Sequence, residues 1–314
     1  MSGPVDTAGV GVRISLSAVV VALRDGKAAV LTSRGEGEAA LPSGPFDPLH
    51  DRTFELALRA FVTTQTGFGL GFVEQLYTFG DAARSSPRAT QGPERQREVS
   101  VGYLALTAEP GGAGADRWSR IFDHFPWEDR RGAGLDPALL TALDAWAGRD
   151  ARKRARAEAL FALGGRRWNE ERALDRYELL YEAGLVAEAA RDQDRPAPDL
   201  PTGRPMASDH RRILATGLGR LRSKLKYRPV LFDLTPETFT LSQLQAAAEA
   251  VTGLTLHKQN FRRGVERTGL VEATGALASA TGGRPAELYR FVGADPLAGA
   301  TQNQSLGLTL PAQR

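Results

Sequence analysis

The order of patterns across residues 210–291 constrains this chain more than any other feature. Over residues 210–226, Ile213, Leu214, Leu218, Leu221 and Leu225 recur at helical spacing and form one apolar stripe. Arg211, Arg212, Arg220, Arg222 and Lys224 occupy the rest of that cylinder. Thr240-Leu241-Ser242-Gln243 is a capping box, in which the first and fourth residues satisfy each other's orphan backbone amides. It opens a second helix that buries Leu241, Leu244, Ala248 and Val251. A break at Thr252-Gly253 precedes residues 257–267, where Phe261 and Val265 face a core while Gln259, Arg262, Arg263 and Glu266 face outward. A short strand near residues 270–272, a glycine-marked turn and Gly282-Gly283-Arg284-Pro285 lead to a returning strand. Three helices followed by a β-hairpin spell a winged helix-turn-helix, with Arg284 at the tip of the wing.

The chemistry of that module points to duplex DNA. Lysine and arginine neutralise phosphates, and Gln or Arg can make paired hydrogen bonds to adenine and guanine edges. The expected contact set is Arg211, Arg212, Lys258, Gln259, Asn260, Arg262, Arg263 and Arg284. The expected partner is double-stranded operator DNA. A homodimer is expected too, because two half-sites multiply a modest specificity.

The whole chain is far less basic than this module. Its 314 residues hold 40 Lys+Arg against 37 Asp+Glu, a net charge of +3, whereas residues 204–228 carry one acid, Asp209. Cysteine is absent, which removes disulfides and thiolate metal sites and fits a reducing compartment. The histidines at 50, 124, 210 and 257 show no metal-ligand spacing, so no metal site is expected. His257 opens the third helix and reads as a phosphate contact or a surface residue. The start lacks the basic and apolar regions of a signal peptide, and no apolar run reaches membrane-spanning length. A cytoplasmic protein with no membrane partner is expected.

The fold class expected is α+β. Residues 12–34 read as a hairpin turning at Asp25-Gly26, a helix follows at residues 53–65, and strands recur at 73–79 and 98–107. Residues 82–97 between those strands read as a basic loop. The expected organisation is a sheet-containing effector domain at 1–118 and a helical extension at 119–194. A four-proline linker at 195–205, the winged helix at 206–292 and a tail at 293–314 complete it. Phe125-Pro126-Trp127-Glu128-Asp129 reads as a packed loop, and the basic run at residues 149–156 as a solvated face.

Leu41-Pro42-Ser43-Gly44-Pro45-Phe46 and the helix after it resemble the Nudix box. Hydrolysing a pyrophosphate on that box takes Mg²⁺, which wants several carboxylates on one helix face. Aligned on Gly67-Phe68, Ala60 stands at the arginine position and Phe61 at the first glutamate, while Thr64 and Gln65 take the paired glutamates. Glu55 lies too early on the helix to substitute. The expectation is a degenerate, non-catalytic box in a Nudix-like domain.

Glu74-Gln75-Leu76-Tyr77-Thr78-Phe79-Gly80-Asp81, together with residues 99–106, resembles the Nudix-related transcriptional regulators of NAD metabolism, the NrtR family. Lys258-Gln259-Asn260-Phe261-Arg262-Arg263 and Gly283-Arg284-Pro285-Ala286 extend that resemblance into the winged helix. The long helical middle and eroded box are closest in character to the NadQ-type repressors. The resemblance implies a repressor of NAD biosynthesis genes that requires no cofactor and is controlled by NAD, ADP-ribose or ATP. The expected effector set is Arg34, Thr64, Gln65, Tyr77 and Phe79, with the two aromatics sharing a strand face and stacking on adenine. The alternatives are a Nudix-type ADP-ribose or NAD(H) pyrophosphatase that also binds DNA, and an architectural DNA-binding protein with no effector.

Overall fold

Asp25 and Gly26 both adopt positive φ, 50° and 69°, the geometry of a two-residue hairpin turn. They join β1 (Val12–Arg24) to β2 (Lys27–Leu31), as the sequence led one to expect. The structure is a computed structural model that describes residues 12–33, 38–80, 97–108, 117–132, 134–278 and 285–293. Arg34, Arg284, most of the basic loop and most of the tail lie outside the described residues.

The N-terminal sheet adds β3 (Ser43–Pro45), β4 (Phe72–Phe79), β5 (Arg97–Thr107) and β6 (Trp118–Arg120). Its order is β4-β5-β1-β2-β6, with β1 parallel to β5, antiparallel to β2, and paired also with β3. Both faces of this sheet are covered, which explains why β1 alternates poorly in hydrophobicity. Leu16, Ala18 and Val20 point to one face, where α1 (Phe54–Thr66) contributes Ala57, Leu58 and Val62. Val19 and Val21 point to the other, into a larger core continuous with the rest of the chain. Helix α1 is capped by Thr53 and stops at Gly67, whose φ of 69° suits a residue with no Cβ.

The middle of the chain is helical: α2 (Ile121–His124), α3 (Pro137–Ala147), α4 (Ala151–Phe161), α5 (Ala173–Glu182) and α6 (Ala187–Asp192). The end of the four-proline segment is tied down against α2. Arg204 N donates to Asp123 O at 2.8 Å, Thr202 is buried, and a Cβ on Gly203 would lie 2.7 Å from the carbonyl oxygens of Asp123 and His124. Proline stiffness suits a strap laid along a surface as well as it suits a spacer.

Helix α7 (His210–Tyr227) has the expected apolar stripe, and Ile213, Leu214, Leu218, Leu221 and Leu225 are all buried. Its packing was not legible. A Cβ on Gly217 would meet Val19 of β1 at 2.9 Å, and one on Gly102 of β5 would meet Ile213 at 3.4 Å. The helix therefore lies across the face of the N-terminal sheet opposite α1. It also touches α8 (Leu241–Thr252), so one helix serves two cores. The remaining module is β7 (Thr238–Phe239), α8, α9 (Lys258–Arg267), β8 (Val271–Leu277) and β9 (Glu287–Phe291). Its three strands form a second sheet in the order β7-β9-β8.

Candidate nucleic-acid interface and nucleotide cleft

The capping box at the start of α8 is fully formed. Gln243 N donates to Thr240 Oγ1 at 3.1 Å, and Thr240 N donates to Gln243 Oε1 at 2.8 Å. Gly253 ends α8 with φ 72°, and the chain turns into α9 through an N-terminal His257 that is exposed. Helix α9 is sharply two-sided. Phe261, Gly264 and Val265 are buried, whereas Lys258, Gln259, Asn260, Arg263 and Glu266 are exposed. Gln259 and Arg263 stand one helical turn apart on the same outward row.

Arg262 differs from its neighbour. It is half-buried, and its Nη2 donates to Ser242 Oγ of α8 at 3.3 Å. Together with Lys258, Pro285 and Tyr289 it lines a cleft of about 390 Å³ between α8, α9 and β9.

Two expected DNA contacts are corrected by the fold. Arg211 is fully buried: it pairs with Glu188 at 3.0 Å and donates to the carbonyls of His124 and Thr202. Its guanidinium lies within 5.6 Å of the ring centroids of Phe125, Trp127 and Tyr177. Arg212 is half-buried and paired with Glu178. The same holds for much of the basic face read from α7. Arg222 is enclosed, and Lys224 is paired with Glu74 of β4. A basic helix looks alike in sequence whether its charges meet phosphates or interior carboxylates. The only sequence clue was the supply of acids elsewhere, Glu128, Glu170, Glu178 and Glu188 among them.

The hub of these buried charges is Glu128. Arg176 of α5 grips it with two bonds, 2.6 and 2.9 Å, and Arg222 of α7 pairs with its Oε2. All three side chains are fully enclosed. Burial by itself pushes the Glu128 carboxyl up, and the two guanidiniums outweigh it and hold the group below its ordinary range. Trp168 stacks on Arg176 at 3.8 Å. The loop is packed as the sequence led one to expect, with a role the sequence did not suggest.

The expected nucleotide-contacting residues are not brought together. Phe79 is buried on the α7 face, where it would touch a Cβ on Gly102 at 3.0 Å. A bulge between Gln75 and Thr78 breaks the strict alternation of β4. Tyr77, 63% exposed, rests edge-on against Phe79 with ring centroids 5.4 Å apart. Thr64 and Gln65 lie on α1, across the sheet. Thr64 donates back to Ala60 O at 2.9 Å, and Gln65 Nε2 donates to Ser43 O at 2.8 Å. The cation beside them is Arg117, which donates to Gln65 O. It was missed because only the pairing of β2 with β6 carries that segment to the end of α1.

The donor set of α1 decides whether it suits Mg²⁺. Glu55 is the sole carboxylate of α1, and Arg59 holds it at 2.8 Å. Phe61, at the first glutamate position, packs its ring where a Cβ on Gly44 would sit 3.2 Å away. These residues do not fit a hydrated divalent cation, which needs several oxygens on one face. Among the described residues no group of three His, Asp or Glu is placed to hold a metal.

Residues 231–291 match the model for the NrtR DNA-binding winged helix domain. The winged helix is of the NrtR type. The fold aligns with that of Shewanella oneidensis NrtR complexed with a 27mer DNA, at 20% identity and a TM-score of 0.52, covering 88% of this chain and 93% of that one. A MutT/nudix family protein from Enterococcus faecalis aligns at 18% identity and a TM-score of 0.51, over 89% of this chain and 88% of the other. These likenesses establish an α+β fold that joins a Nudix-like domain to an NrtR-type winged helix. An "ADPR responsive transcriptional repressor NtrR" from Acinetobacter baylyi is 41% identical over 86 residues, 27% of this chain. The chain matches about a third of the length of that relative, 34%. No helix among the described residues is long and apolar enough to cross a membrane.

Proposed function

We propose that this chain is a DNA-binding transcriptional repressor whose Nudix-like domain takes ADP-ribose as effector. The observation that carries the reading is the exposed Gln259–Arg263 row on an α9 whose opposite side is buried in a winged helix of NrtR type. That row is where a major groove is read in helix-turn-helix proteins, and Arg263 is the side chain suited to guanine. The ADP-ribose response of the Acinetobacter baylyi relative supports the choice of effector over NAD and ATP. The target reading, genes of NAD biosynthesis, rests on the family resemblance, and we propose that a homodimer binds two half-sites. Arg284 at the wing belongs to the proposed DNA contacts, and Arg34 to the proposed effector contacts.

Binding of ADP-ribose needs no divalent metal in this reading, because the α1 donor set does not suit one. Gln65 and Arg117 at the end of α1 form the diphosphate-facing side, since an amide and a guanidinium carry more N–H donors than their bonds to Ser43 O and Gln65 O use, and Thr64 joins them by turning its one hydroxyl hydrogen away from Ala60 O. The chain does not hydrolyse the nucleotide. Calorimetry with ADP-ribose in EDTA, then in Mg²⁺, tests this, alongside assay for release of AMP and ribose phosphate. Equal affinity in both buffers and an intact nucleotide are expected. Affinity confined to Mg²⁺, or steady product release, would sink the non-catalytic reading in favour of a pyrophosphatase. Sequencing genomic fragments retained by the protein tests the pathway, with fragments upstream of NAD biosynthesis genes expected.

A further inference from the structure

Helix α7 touches three parts of the molecule through groups that have almost no room to move. On the sheet, Gly217 admits Val19 so closely that even a methyl group would be 2.9 Å away, and Lys224 pairs with Glu74. On the loop after α2, Arg222 pairs with Glu128. On the winged helix, Arg222 Nε donates to Val251 O at 3.0 Å, in the last turn of α8. The loop and the winged helix also meet backbone to backbone. Arg130 N donates to Gly253 O at 2.7 Å, and a Cβ on Gly253 would fall 2.2 Å from Glu128 O. Gly253 is the turn that launches α9.

This charged cluster is a poor way to gain stability alone. Buried ion pairs lose in desolvation much of what they gain in attraction, and apolar packing serves as well. The winged helix already has an apolar core in Leu244, Ala248, Val251, Phe261 and Val265, plus its capping box. What a guanidinium fork adds is geometry, because its donors are fixed in one plane and accept one register of partners. We propose that Arg222 is a positioning residue that ties the angle of the α8–α9 turn to the N-terminal sheet. Nucleotide occupancy of the Nudix-like domain reaches the DNA-reading helix through it. The proposal rests on the DNA-binding and nucleotide-control reading above.

The test uses the full chain with Arg222→Lys and Arg222→Met. Lysine keeps the charge but cannot reach Glu128 and Val251 O together. Methionine leaves Glu128 paired one-to-one with Arg176, so no carboxylate is stranded. Operator affinity is measured with and without ADP-ribose. Wild type is expected to change affinity by about 5- to 150-fold on adding the nucleotide, a coupling free energy of about 1–3 kcal/mol. Both variants are expected to bind operator and nucleotide separately while that ratio falls toward one. A ratio equal to wild type in either folded variant overturns the proposal. A wild type that binds operator without responding to ADP-ribose overturns nucleotide control itself, which separates the two failures. Should both variants fail to fold, hydrogen exchange on wild type decides. ADP-ribose is expected to change the protection of Arg130 and residues 251–256, and unchanged protection there overturns the coupling.

Discussion

At Glu128 desolvation and attraction oppose each other, and the sign of any substitution depends on which partner remains. Glu128→Ala leaves Arg176 and Arg222 buried without their ion-pair partner, so a loss of about 3–5 kcal/mol is expected in urea unfolding. His124 offers a second residue-scale prediction. It is enclosed and neutral, with Nε2 facing Ser119 Oγ at 2.8 Å and Nδ1 facing Arg204 O at 3.0 Å. Burial lowers its pKa below the ordinary 6.5. The unfolded chain therefore takes up a proton first as pH falls, and stability is full above 6.5 and declines below it. Thermal melts stepped downward from about pH 7.5 are expected to show this decline, absent in His124→Gln. On α9, Arg263→Ala is expected to lose about 1–3 kcal/mol of operator affinity and to relax base preference at one position. Arg262→Ala is expected instead to weaken binding to all sequences alike with a shallower salt dependence, because Arg262 is committed to the cleft beside Ser242. Anisotropy titrations on operator and scrambled duplexes distinguish the two, and identical behaviour would refute the division.

Among the elements, α7 carries the heaviest constraint. It packs on β1 and β5 through glycines at 217 and 102, so close approach depends on side chains that are missing. Gly217→Leu is expected to destabilise the whole chain by about 1–3 kcal/mol through overpacking against Val19, although leucine is the better helix former. A rise in melting temperature would show that α7 does not lie on the sheet. The capping box, the two apolar helix faces of the winged helix and the β1–β2 turn were all legible, since each depends on residues close in sequence. The reach of α7 was not, because its stripe is the same whether it faces a three-helix core or a β-sheet.

The molecule as a whole joins a Nudix-like sheet and a winged helix through one shared core. Helix α8 packs against β2, and the turn at Phe232–Leu234 packs against β1 and β5. That continuity sets the reading of charge. Arginines at 176, 211 and 222 became interior ties because the fold enclosed them beside Glu128 and Glu188.

The chain's own order of residues determined the α+β class, the helix ends, the winged-helix pattern and the outward row of α9, all from local periodicity and caps. Tertiary structure alone decided which cations face solvent and that Phe79 lies on the opposite face of the sheet from Gln65. It alone brought Arg117 to the end of α1. Burial and ionic pairing depend on residues tens of positions apart, such as Glu128 and Arg222, and no local pattern records which of them will meet.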